Sequence, residues 1–446
     1  MLPIVEIPST VQKWMHKYRS LFCRDAGFDL VSRFVTGLIL SPNKTLQGIY
    51  DLLRWDGIGP SRRAMHEAVF EAEWDSENLM QQHQTVVAQD HRNRGREVIS
   101  FDWTFCHHER GPAIHGNHKG FDYIEGRYCL MQTVLTATIA NRDIIDGIDV
   151  VVQESSYEKK EKAYLNATVK QGYEEMEKAQ NRLMELLHYD LNRHQYKTRT
   201  DLYVEMVARI EKESAFPHAN YAFDNGVLSF PLAQLIEKNN KQWVSEIEIS
   251  RNIMWQGQWE RVDKVAGKLR SEHPEAFRLV RVRCRNGKYK EYQVFTKVIR
   301  LKKYGRKRLV IVHETEDLSD KPRFLLSSAQ HWESSRIIET WSYRWSIEIF
   351  HEFSKQQTGL ESAQLRNQES VERHFRLNCV AQSILQRVSA PASTSEKFEF
   401  ANGKITIGQK WRAIARETFR SLLLKICQLR EDGMEIDQMM EVLMPA

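Results

Sequence analysis

Cysteine is scarce and scattered. The six present (Cys23, Cys106, Cys129, Cys284, Cys379 and Cys427) form no Cys-x-x-Cys pair in 446 residues. A disulfide framework and a cysteine-built zinc site are therefore not expected, and a reducing compartment is. Long apolar runs are missing too. No stretch of about 18 uncharged apolar residues occurs, so neither a membrane span nor a membrane partner is expected. The opening Met1-Leu-Pro-Ile-Val-Glu-Ile-Pro8 has no basic segment ahead of an apolar run, so a signal peptide is not expected either. Internal repeats and low-complexity tracts are absent. What remains is the composition of an ordinary soluble protein, 41% hydrophobic and 28% charged. The length suits about two to four domains.

The net charge of +5 is unevenly spread. Residues 277–308 hold thirteen Lys or Arg against one acid, Glu291, so this stretch carries +12 and the remainder −7. A local excess of this size points to a polyanion. Within it Val280, Val282 and Cys284 alternate with Arg281, Arg283 and Arg285, which reads as a strand with one apolar and one arginine face. Asn286-Gly287 is a strong hairpin signal, and Tyr304-Gly305 marks a second turn. Lys302, Lys303, Arg306, Lys307 and Arg308 surround that turn. All eight basic residues are expected to contact a DNA backbone.

In chain order, the first ninety-odd residues read as helical. Leu46, Ile49, Tyr50 and Leu53 form one stripe, with Thr45 as N-cap. Asp56-Gly-Ile-Gly-Pro60 is a turn, and Ser61 caps a helix through Met65 and Val69. Helix, Gly-containing turn, helix is the plan of a helix-turn-helix, whose second helix would bring Arg62 and Arg63 to DNA. A third helix is expected over Glu77–Gln89, followed by the basic link His91–Arg96. Val98–Asp102 reads as a short buried strand ending in an acid. Arg127–Ile139 and Ile144–Val152 complete an antiparallel meander, joined at Asn141–Asp143. A charged helical region spans Ser156–Glu213, and Tyr221–Asp224 is again an apolar strand ending in an acid. A helix (Leu232–Lys238), a strand (Trp243–Ile249), a separate β-rich unit (251–320) and a largely helical final ninety residues follow. Ile436, Met439, Met440 and Leu443 mark a packing stripe in the tail.

Trp341–Lys355 has no Gly or Pro and reads as one continuous helix. At about 100° per residue, Arg344, Lys355, Glu348, Trp341 and Glu352 share roughly 80° of its circumference, opposite Trp345, Ile349, Phe350 and Phe353. Three antiparallel strands, a helix and another strand is the order of an RNase H-like sheet, in which the first and fourth strands are neighbours. Asp102 and Asp224 would then meet, and a later helix can add Glu348. Such an oxygen-rich set suits Mg²⁺ or Mn²⁺.

These residues resemble a known pattern. Asp102 in Ile-Ser-Phe-Asp-Trp-Thr, Asp224 in Ala-Phe-Asp-Asn-Gly, and Arg344-x3-Glu348-x6-Lys355 are similar to the signature of DDE transposases of bacterial insertion sequences. The group in question carries a β-rich insertion between the second Asp and the Glu. Its signature, Tyr-x2-Arg-x3-Glu-x6-Lys, is matched at three of four positions, with Trp341 at the Tyr position and Tyr343 two residues off. Further likeness lies in Gly37-Leu-Ile-Leu…Lys44-Thr-Leu…Trp74-Asp75 and in Gly359-Leu-Glu-Ser-Ala-Gln-Leu-Arg366.

The resemblance implies an α/β fold with an RNase H-like mixed sheet flanked by helices. The implied domains are a helical DNA-binding domain (1–96), the first part of the core (97–250), a basic β-rich insertion (251–325), the second part of the core (326–360) and a helical C-terminal region (361–446). Asp102, Asp224 and Glu348 would hold two Mg²⁺, or Mn²⁺, for cleavage at transposon ends and joining of the 3′-OH to target DNA. Arg344, Lys355 and Trp341 would face the flanking phosphates. The partners would be double-stranded DNA, as terminal inverted repeats and target, and a second copy of the chain. The location would be the bacterial cytoplasm, on the nucleoid.

Glu352 is the rival of Glu348, and the register with Arg344 and Lys355 favours Glu348. His107, His108, His115 and His118 lack the usual zinc spacing and are read as facing DNA or solvent. Two other functions fit the same residues: a nuclease that cuts without joining, and a silent DNA-binding protein derived from a transposase.

Overall fold

The computed structural model describes residues 3–55, 59–91, 95–108, 111, 113–123, 125–154, 180, 181, 183, 184, 187, 197–285, 287–390 and 405–444. The Asp56–Ile58 part of the first turn, most of the basic link, Asn286, and the charged region up to residue 196 (the few positions above excepted) lie outside them.

The architecture is mixed α/β, a large mixed sheet flanked by helices. Its strands are β1 (Val98–His107), β2 (His118–Asp122), β3 (Arg127–Ala140), β4 (Ile145–Gln153), β5 (Asn220–Phe223), β6 (Trp243–Glu246), β7 (Asn252–Trp255), β8 (Gln258–Arg261), β9 (Arg278–Arg283), β10 (Tyr289–Leu301), β11 (Gly305–His313) and β12 (Arg323–Ser327). They run in the order β2-β3-β1-β5-β6-β12-β11-β10-β7-β8, with β4 also on β3 and β9 on β10. β1 is antiparallel to β3 and parallel to β5, and β5 is parallel to β6.

Three expectations change here. β1 does not stop at Asp102 but runs five residues further, because Trp103-Thr-Phe-Cys-His107 are strand formers that continue the ladder on β3. The stretch 108–126, where the sequence pattern predicts no strand, contains one, β2, paired with the start of β3. The basic stretch 251–325 does not stand apart. β12 pairs with β6 and so joins β11 and β10 to the same sheet.

Alternation explains how the first strands are covered. Ile99 and Phe101 of β1 and Leu135, Ala137 and Ile139 of β3 pack on one face with Leu202, Tyr203, Met206, Val207 and Ile210 of the helix Arg199–Lys212. Val98, Cys106, Val134 and Val150 point the other way, against Phe350, Val371, Phe375 and Cys379. Asp102 has the parity of Val98, so it lies on this second face.

The helical ends of the chain share one core. Val31, Phe34, Leu38, Ile49, Met65 and Val69 pack with Leu377, Val380, Ala381 and Ile384 of the helix Gln368–Gln386. Thr45 and Ser61 cap their helices as expected, accepting from the N–H groups of Gly48 and Ala64. Those helices are short, Leu46–Tyr50 and Arg62–His66, the second continuing as a π turn to Glu71.

A buried ion cluster joins this layer to the sheet. Arg387 grips Asp146 of β4 bidentately at 2.7 and 2.8 Å and also reaches Asp90, while His91 Nε2 lies 2.8 Å from Asp146. Burial pushes the Asp146 carboxyl up, but Arg387 and His91 overrule it and hold it well below the usual carboxylate range. Among the described residues no helix is long and apolar enough to cross a membrane.

Candidate active site

Strand register brings the first two acids together. The parallel β1–β5 ladder pairs Val98 with Asn220, Ile99 with Tyr221 and Ser100 with Ala222. Carried two residues on, that register sets Asp102 beside Asp224, just past the end of β5. The β1–β5 ladder ends at Ser100–Ala222, so the two strands are not hydrogen-bonded to each other where the carboxylates stand. Gly226 N–H donates to Asp224 Oδ1 at 3.0 Å, and Trp103 N–H to Asp102 Oδ1 at 2.8 Å.

The third acid arrives on the helix Trp345–Phe353, which lies over β1, β3 and β4. Two features seat it. Gly147 of β4 has no side chain, and an added Cβ would stand 2.6 Å from Cζ of the buried Phe350 ring. One turn beyond Glu348, His351 Nε2 lies 2.6 Å from Thr136 Oγ1, and Thr136 is the β3 partner of Asp102. Burial, helped by Lys355, pushes the His351 imidazole down to about 3, so it is neutral and serves as a hydrogen-bonding peg. None of Gly147, Thr136 and His351 stood out in the sequence.

Arg344 completes the site. Its Nη2 is 2.7 Å from Glu348 Oε1 and its Nη1 4.0 Å from Asp102 Oδ2. Burial and then Asp224 push the Asp102 carboxyl up to about 7; the Trp103 N–H and Arg344 oppose this, and Glu348 adds to it. Tyr203, buried on the opposite helix, is close enough to both Asp102 and Asp224 for each to raise its hydroxyl further above the usual range, after burial. Its hydroxyl has no hydrogen-bond partner among the described residues. In the sequence it is only one apolar position on a helix stripe. The three carboxylates do not all come within 4.8 Å of one another; among the described residues one group does, His107, Asp122 and Cys129.

The stretch 341–355 is not one helix. Ser334–Ser342 ends before Arg344, and the joint is tightened by Arg344 N–H to Trp341 O and Ile347 N–H to Arg344 O bonds. Residues Ser354–Thr358 then widen into a π turn. The 100° arithmetic therefore fails across both joints. Trp341 packs its ring against Arg323 and Arg344, 5.1 and 5.9 Å from the centroid, and its buried Nε1 has no partner among the described residues. Lys355 Nζ is 2.6 Å from Phe105 O and 2.7 Å from Glu361. Glu352, one turn beyond Glu348, is exposed and accepts a long bond from Gln356. A cleft of about 510 Å³ opens beside Arg344, lined by Trp341, Trp345, Arg323, Arg285 and Lys290 among others.

The remaining basic residues divide. Arg62, Arg281, Arg283, Lys302, Lys303 and Arg306 are exposed. Arg281 stacks on Tyr289 at 4.4 Å. Arg63 is paired with Glu67 at 2.7 Å. Three residues of the expected basic face are tied to partners within the protein. β9 ends at Arg283, so Arg285 leaves the alternation and donates to Asn141 O at 2.9 Å. Lys307 is buried against Glu237 at 3.1 Å. Arg308 donates to Gln330 O at 2.6 Å. Of the histidines, His108 is buried and paired with Gln132 at 2.9 Å, rather than facing solvent. No family model and no curated protein matches the chain.

Proposed function

We propose that this chain is a DDE-type DNA transposase with an RNase H-like core. The observation that carries the reading is the β1–β5 register, which, carried two residues past Ser100–Ala222, sets Asp102 beside Asp224 near the helix that brings Glu348 and Arg344. The order β4-β3-β1-β5-β6, with β1 and β5 parallel, supports the same reading.

Three carboxylates without thiol or imidazole fit a hard divalent ion. A carboxyl raised to about 7 by burial and a second acid is one whose ionised form a cation would favour. Asp102, Asp224 and Glu348 would hold two Mg²⁺, or Mn²⁺, which when bound supply activation of the attacking oxygen and charge at phosphorus. The chain's own residues position the DNA. Arg344 stands between Asp102 and Glu348, where a phosphate flanking the cut would sit, and Trp341 holds its guanidinium. The exposed bases of β9 and of the β10–β11 turn take the duplex backbone. Two ends must be held at once, so the working form is a dimer.

The test is cleavage and joining of DNA carrying the sequences that flank the reading frame. With Mg²⁺ the protein should nick and join; Asp224→Asn and Glu348→Gln should do neither while still binding. Joined product from Glu348→Gln would remove that residue from the site. Cut ends that are never joined would make the protein a nuclease of the same core, and metal-independent binding alone would make it a silent derivative.

A further inference from the structure

We infer that His107, Asp122 and Cys129 form a zinc site, distinct from the acidic set. Cross-strand register puts them on one face. His107 of β1 is opposite Met131 of β3, while Gly120 and Asp122 of β2 are opposite Cys129 and Arg127 of β3. Residues 127, 129 and 131 share a face by strand alternation, and so do their partners. The ligand atoms of His107, Asp122 and Cys129 all lie within 4.8 Å of one another.

The surroundings suit a metal. Asp122 and Cys129 are buried, at 2% and 6% exposure, while the His107 side chain is 22% exposed and leaves a way in. His107 Nε2 is 2.8 Å from Asp122 Oδ2, and the other Asp122 oxygen accepts from Glu125 N–H, which orients the carboxylate. The far ring nitrogen, Nδ1, faces Glu361 Oε1 at 3.7 Å. A carboxylate behind the ring is the support that a metal-bound imidazole uses. Thiolate, imidazole and carboxylate together select zinc over Mg²⁺, with water as the fourth ligand. Binding would release the Cys129 proton to solvent. The ion would brace the β2–β3 hairpin, whose tip exposes Phe121, Tyr123 and Tyr128. In sequence the three ligands are spread over three strands with no motif spacing, which is why the histidines there read as facing DNA or solvent.

The test uses the full chain, stripped with a chelator and titrated with Co²⁺. A thiolate-to-cobalt charge-transfer band should appear, and Zn²⁺ should displace it at one ion per chain. Cys129→Ser should lose the band, and Glu348→Gln should keep it, which separates this site from the proposed catalytic one. Asp122→Asn and His107→Gln, both near-isosteric, should each weaken zinc binding at least ~10-fold while the far-ultraviolet circular dichroism stays unchanged. No band in the wild type, an undiminished band in Cys129→Ser, or unchanged affinity in both isosteric variants would overturn the assignment.

Discussion

Asp102→Asn should make the metal-free protein more stable at alkaline pH while ending its divalent-ion response. The argument runs from the raised carboxyl. Between its ordinary value of 3.8 and about 7, folded Asp102 keeps a proton that the unfolded chain has lost. Its contribution to stability is therefore present at low pH and is lost as pH rises through about 7. The full gap corresponds to about 4 kcal/mol. Asp102 is 17% exposed and Arg344 can move closer, so relaxation cuts this to about 1–2 kcal/mol. Asparagine keeps the shape and carries no charge. Denaturant midpoints of both proteins, at about pH 5 and about pH 8.5 without divalent ions, give the comparison. The wild type should lose about 1 kcal/mol relative to the variant between these two pH values, since part of the gap lies below about pH 5. Added Mg²⁺ should restore the wild type and leave the variant unmoved. Parallel pH profiles, or equal stabilisation of both by Mg²⁺, would refute the reasoning.

Other perturbations separate seating from charge. Gly147→Val drives a side chain into the Phe350 ring, and overpacking of this kind costs about 1–3 kcal/mol. Strand cleavage should fall with the shift of the helix while DNA binding persists, as a gel-shift assay run beside a cleavage assay will read. Removing Arg281, Arg283 and Arg306 together should lower the slope of log affinity against log salt by about one per lost phosphate contact. Lys307→Ala should instead lower the denaturant midpoint, because it leaves Glu237 with the Trp243 N–H but no cation, and should leave the salt slope alone.

The sequence made the acidic site legible because its logic is periodic. Strand parity is a local pattern, the strand order read as RNase H-like sets Asp102 beside Asp224, and the resemblance singled out Glu348. The caps at Thr45 and Ser61 were readable for the same reason. What was hidden depends on partners far along the chain. Arg285, Lys307 and Arg308 look like their exposed neighbours, and only the carbonyls and carboxylate they meet distinguish them. The joint at Arg344 and the π turn at Ser354 are shifts in backbone hydrogen bonding with no Gly or Pro to announce them. β2 was missed because His118-Lys-Gly-Phe-Asp122 has a glycine at its centre and little apolar alternation. The β-rich stretch looked separate because its charge differs from that of its surroundings, whereas sheet continuity is decided by edges, here β6 and β12.

The grip of Arg387 on Asp146 sets an order of events during synthesis. The two residues are 241 positions apart. At roughly 5–20 residues per second, Asp146 leaves the ribosome about 10–50 s before Arg387. Over that interval Asp146 has His91 but not Arg387, β4 lacks the helix that covers it, and Glu348 arrives in the last stretch. A chain arrested before residue 340 carries both aspartates and the basic strands but no third acid. On the proposed function, a nascent chain would therefore hold DNA before it could cut it.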